Sequence, residues 1–138
     1  MTDTPKWLRP LAVVALLWNL LGCAAFAADM MLTPDDVARM DVVQRAMYEA
    51  RPAWSVIGTA AAVIGGALGS LGLLLSRRWA YPLLALSLAG VVVQDVGMAQ
   101  AFGTWPGAAV LALQALVLLV AIALASLARR GVRDGWLR

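Results

Sequence analysis

Asn19, Gln94, Asp95 and Gln114 are polar side chains set inside long apolar runs, where no water is available to bond them. Counted at 1.5 Å per helical residue, all four fall between the middle of an apolar run and the same end of it, so the spacing allows one shared network. Asp95 is the only formal charge well inside a run, six residues or about 9 Å from its end. A carboxyl at that depth suits proton coupling or the passage of a cation or polar solute. It suits equally a structural lock joining the first, third and fourth runs, and no second intramembrane charge completes a proton relay.

Other chemistries lack residues. The chain has no histidine and one cysteine, Cys23, which excludes thiolate clusters, histidine-ligated haem, structural zinc and a Ser-His-Asp triad within one chain. Without paired intramembrane carboxylates, general acid–base catalysis has few candidates. The expectation is therefore a protein that is not an enzyme and needs no metal or cofactor. Cys23 reads as a small packing residue.

Four apolar runs must position the polar groups: 8–28, 53–76, 80–101 and 105–127. Each meets the roughly 20 residues a membrane-spanning helix needs. With 62% hydrophobic residues over 138 positions, one four-span bundle covering 1–138 is the expected organisation. Lys6, Arg9, Arg77, Arg78, Arg129, Arg130, Arg133 and Arg138 flank one side of these runs; only Arg39, Arg45 and Arg51 fall on the other, with five carboxylates. Eight basic residues against three predict cytoplasmic termini in a bacterial inner membrane, with 29–51 outside. The same placement explains the net charge of +3 without nucleic acid; anionic lipid is the natural partner of the basic ends. Trp7, Trp54, Trp79, Tyr81 and Trp105 fall at interfaces, and Pro52, Pro82 and Pro106 at or near the first turn of a span.

Between the first two spans, Thr33-Pro34-Asp35-Asp36 reads as a helix start. Val37, Met40, Val43, Met47 and Ala50 then recur at helical spacing. One short amphipathic helix over 34–50 is expected, lying on the outer surface or capping the bundle. The first span also resembles a leader: Ala25-Phe26-Ala27 fits a cleavage site and Leu20-Leu21-Gly22-Cys23 a lipoprotein box. Trp18 and Asn19 in mid-run, and the length of the run, favour a retained helix.

Gly58, Ala62, Gly65, Gly69, Gly72 and Ser76 place small residues along one face of the second span. Small residues let membrane helices approach closely, so this stripe predicts either an internal seam or self-association. Ala12, Ala15, Asn19, Gly22 and Phe26 on the first span, and Ser87, Gly90, Gln94, Gly97 and Ala101 on the third, form shorter versions. Each carries one amide, which should turn it toward the bundle interior.

Leu16-Leu17-Trp18-Asn19-Leu20-Leu21-Gly22, Met47-Tyr48-Glu49-Ala50-Arg51-Pro52-Ala53-Trp54, Gly65-Gly66 through Gly69-Ser70-Leu71-Gly72, and Arg78-Trp79-Ala80 together resemble a group of small, uncharacterised bacterial four-helix inner-membrane proteins. Some of that group are described as sugar transporters. The resemblance spans nearly the whole chain and adds Asn19, Tyr48, Glu49 and Trp54 to the residues of interest. With Arg51, the last three become outer-mouth candidates. Two functions are expected from these residues. One is an oligomeric permease or channel for a small polar solute, the homo-oligomer assembled through the glycine stripe. The other is a non-catalytic accessory or scaffold subunit that engages another membrane protein.

Overall fold

The computed structural model describes residues 3–103 and 107–138. Among them the chain forms helices and no strand: α1 Leu8–Met30, α2 Pro34–Ala38, α3 Val42–Ala50, α4 Ala53–Leu74, α5 Ala80–Phe102 and α6 Ala108–Arg133. Four of these, α1, α4, α5 and α6, are long and apolar enough to cross a bilayer. That is the architecture of a multi-pass, all-α membrane protein.

Three boundaries differ from expectation for local reasons. The single helix expected over 34–50 is two. Asp41 adopts an extended conformation between them and accepts a hydrogen bond from Gln44 N–H at 2.9 Å, so it caps α3 instead of continuing α2. At the start of α2, Thr33 and Asp36 form a reciprocal capping box. Hydrogen bonds from Thr33 hold the Asp36 carboxyl below the ordinary aspartate range. Second, α4 stops at Leu74. Ser76 is left-handed at φ 54°, with Arg77 N–H bonded to Gly72 O at 2.8 Å, so Ser76 leaves the small-residue face and terminates the helix. Third, α6 runs six residues past the expected end. Arg130 and Arg133 in its last turn suit the negative end of the helix dipole, and Gly135 at φ 81° closes it. Trp105 and Pro106 lie outside the described residues.

The long helices pack in series, α1 on α4, α4 on α5 and α5 on α6; α4 meets α6 only slightly, and α1 and α6 share no comparable interface. The α4–α5 contact is backbone on backbone. A Cβ added to Gly65 would lie 2.9 Å from Leu83 O, and one on Gly90 would lie 2.5 Å from Gly58 O and 2.6 Å from Ala62 N. Gly69 is filled by Leu84, and Gly72 by Trp79 and Ala80. The small-residue face of α4 is thus occupied inside the chain and is not available for self-association. Ser87 Oγ–H bonds Ala62 O at 2.6 Å within this seam, satisfying a hydroxyl that lipid could not.

The two termini and the α4–α5 turn meet at one end. Thr4 Oγ–H donates to Trp136 O, Arg78 N–H to Arg138 O at 3.0 Å, and Arg138 N–H to Ser76 O at 2.8 Å. Trp7 and Trp136 stack edge to face with centroids 5.8 Å apart. Beneath them Leu8, Leu73, Leu84, Leu124 and Leu137 join one buried apolar cluster, to which α1, α4, α5 and α6 all contribute. All eight basic residues named above as flanking one side gather at this basic end. The segment 31–52, with α2 and α3, lies at the far end.

Candidate functional site

Because α1 and α6 stand at opposite ends of the packing series, a groove remains between them above the leucine cluster. Its deeper part is a cavity of about 380 Å³, lined by Trp18, Asn19 and Leu21 of α1, Val63 of α4, Val91 of α5, and Gln114, Val117 and Leu124 of α6, among others. A second cavity of about 260 Å³ continues it toward the far end, sharing Gly22, Ala25, Gln94 and Gln114 with the first. Phe26, Asp29, Met47, Arg51, Thr59 and Phe102 are among the other residues that line the second cavity. The pattern is graded: apolar at depth, amides at mid-height, and an ion pair at the mouth.

The amides are fixed by neighbouring helices. Gln94 on α5 accepts from Thr59 Oγ–H of α4 at 2.8 Å and donates from Nε2 to Gln114 Oε1 of α6 at 3.0 Å. Gln114 thereby accepts at Oε1, its Nε2 has no hydrogen-bond partner among the described residues, and the residue lines both cavities. Asn19 is held separately, donating to Ala15 O at 2.9 Å and to Ser70 Oγ at 3.2 Å. Cys23 Sγ–H donates to Val63 O at 3.3 Å, tying the α1 segment with the leader-like motifs to α4 in mid-helix.

At the mouth Arg51 Nη1 donates to Asp29 Oδ2 at 2.6 Å, joining the loop before α4 to the end of α1. Both side chains keep more than a quarter of their surface open, at 28% and 27%. The Arg51 guanidinium also lies 4.8 Å from the Tyr48 ring centroid.

The single network allowed by the sequence is therefore divided in two, and Asp95 stands at the edge of the Gln94 part, reached by the Gln94 side chain. One residue along a helix is a rotation of about 100°, so when Gln94 faces the groove its neighbour turns toward the flank of α5. Asp95 lines neither cavity, and its Oδ1 is shielded with no hydrogen-bond partner among the described residues. Of the mouth candidates, Arg51 lines the groove and Tyr48 supports it. Glu49 instead pairs with Arg45 at 3.0 Å on the exposed side of α3, and Trp54 packs toward Gly97 of α5. Asp29, Thr59 and Ser70 were not singled out from sequence. The signal for Thr59 is its depth, which matches that of Gln94 on the neighbouring span to within about 3 Å.

No group of three potential metal ligands occurs among the described residues. No family model, curated protein or solved structure matches the chain.

Proposed function

We propose that the chain is a non-catalytic membrane subunit that holds an amphipathic, lipid-like molecule in the groove between α1 and α6. The observation that carries this reading is the gradation of the groove along the membrane normal. Gln114 lies six residues, about 9 Å, from the first residue of α6, and each interfacial layer of a bilayer is about 5–8 Å deep. The amides therefore fall where headgroups give way to chains. From Gln114 to Leu124 is about another 15 Å, half the roughly 30 Å hydrocarbon core. One leaflet's acyl chain fits that depth, and the leucine cluster closes the groove below it.

A permease for a small polar solute has less behind it. The deep cavity is walled mainly by apolar side chains and ends at leucines, and the glycine face that would assemble an oligomer is filled by α5. A homo-oligomer would have to use other exposed apolar faces, which all four long helices present.

Ala25 tests the groove without touching the core, because it is exposed and borders both cavities. Protein released from native-membrane nanodiscs into a mass spectrometer should carry about one lipid-mass adduct per chain. Ala25→Trp should abolish that adduct while leaving thermal stability unchanged. A parent protein free of adduct, or an adduct that survives Ala25→Trp, refutes the reading.

The proposed orientation places the basic end in the cytoplasm of a bacterial inner membrane, as the positive-inside rule requires. In a Cys23→Ala background, an introduced cysteine at position 41 should react with impermeant maleimide in intact cells and one at position 134 should not. Labelling at 134 would reverse the orientation.

A further inference from the structure

Resting on the groove assignment above, we infer that its preferred occupant is a phospholipid whose headgroup is zwitterionic and carries a primary ammonium. The mouth holds a matched pair of charges. Arg51 and Asp29 are 2.6 Å apart, each partly open, and both line the cavity that leads down to Gln94 and Gln114. A headgroup of one sign meets this pair badly. An anionic head reaching Arg51 comes equally close to Asp29, and a like charge beside a partly desolvated carboxylate is repelled. A headgroup with a phosphate and an ammonium on one short linker lies antiparallel to the pair, phosphate on guanidinium and ammonium on carboxylate, and leaves no charge unmatched.

The guanidinium favours phosphate because its fork of N–H donors fits two oxygens. One donor is engaged by Asp29, and the Tyr48 ring braces the guanidinium. The carboxylate then discriminates between zwitterions. A primary ammonium donates hydrogen bonds to Asp29, whereas a quaternary ammonium has no N–H to give. Below the head, the free sites of the Gln114 amide lie at the level of the ester carbonyls and donate to them, and the tail follows Val117 to Leu124. No bond is made or broken; the occupant is bound, not turned over.

The test uses the full chain in nanodiscs made from equal parts of phosphatidylethanolamine, phosphatidylcholine and phosphatidylglycerol, with bound lipid read by native mass spectrometry. Phosphatidylethanolamine should be retained about tenfold over phosphatidylcholine, the size expected for one charge-assisted hydrogen bond. Asp29→Asn should erase that preference, and Arg51→Gln should lower retention of all three. Because breaking the pair could loosen the junction of α1 and α4, the exchange Asp29→Arg with Arg51→Asp serves as the second variant. It keeps an ion pair and should keep the preference for a zwitterion. Equal retention of the three lipids, or a preference for phosphatidylglycerol, overturns the headgroup assignment and leaves the groove intact. No adduct in the parent, or an adduct that survives Ala25→Trp, would instead remove the groove itself.

Discussion

Gly90→Ala should destabilise the protein even though alanine is the better helix former. In a helix interior the exchange gains about 1 kcal/mol from propensity alone. Against that, the added methyl carbon would stand 2.5 Å from Gly58 O and 2.6 Å from Ala62 N, both backbone atoms of a facing helix. Neither can rotate away as a side-chain tip would. Relief requires α4 and α5 to separate, which stretches the 2.6 Å bond from Ser87 to Ala62 O and opens the contact at Gly65. Overpacking costs about 1–3 kcal/mol where side chains can yield, and more where they cannot, so destabilisation outweighs the propensity gain. Gly90→Leu should prevent stable folding in detergent. Leu86→Phe, on the half-exposed side of the same helix, should leave the melting temperature unchanged and so controls for bulk. A Gly90→Ala protein that melts at or above the parent temperature would mean that the two backbones are not in contact.

The spans were legible because a membrane helix is fixed by length and apolarity: 8–28, 53–76 and 80–101 locate helices of the structure to within about two residues, and 105–127 locates α6, which starts at Ala108 and runs six residues further. What could not be read was rotation about each axis. Depth follows from a fixed rise per residue, and Asn19, Gln94 and Gln114 do lie along one groove. Azimuth follows from which neighbour a helix packs on. Adjacent Gln94 and Asp95 share a depth, yet only one of them can face the groove. The small-residue stripes carried azimuthal information: the buried positions Gly58, Ala62 and Gly65 of α4, and Ser87, Gly90 and Gly97 of α5, face each other. At 34–50 a real apolar period concealed a break, because Asp41 three residues before Gln44 is also a cap signal. The fold-back of Trp136 and Leu137 depends on Gly131, whose missing side chain admits Leu137, and on a distant partner in Ser76. No local pattern encodes such a partner.

Removing the charge at Asp95 should stabilise the chain, the reverse of what a buried network would require. Had the carboxyl joined Asn19 and Gln114, its loss would strand those amides. In the structure they have other partners: Asn19 bonds Ser70, and Gln114 bonds Gln94, which bonds Thr59. Asp95 Oδ1 is shielded without a hydrogen bond among the described residues, and a polar atom in that state costs about 1–3 kcal/mol. Leucine at this position removes the unsatisfied oxygen and presents lipid or α6 with an apolar surface. Asp95→Leu should therefore raise the thermal stability of the isolated chain in detergent, and Asp95→Asn should change it little, since an amide still leaves one polar atom at the Oδ1 position without a partner. The same two variants measured in the native membrane separate structure from function. An expensive intramembrane carboxyl with one oxygen left unpartnered among the described residues points to something outside the chain, such as a proton or a helix of a second protein. Asp95→Leu should then weaken copurification of that partner, or pH-dependent activity, while the chain itself becomes more robust. If Asp95→Leu instead melts well below the parent, Oδ1 is already partnered, and the placement of Asp95 outside the groove is wrong.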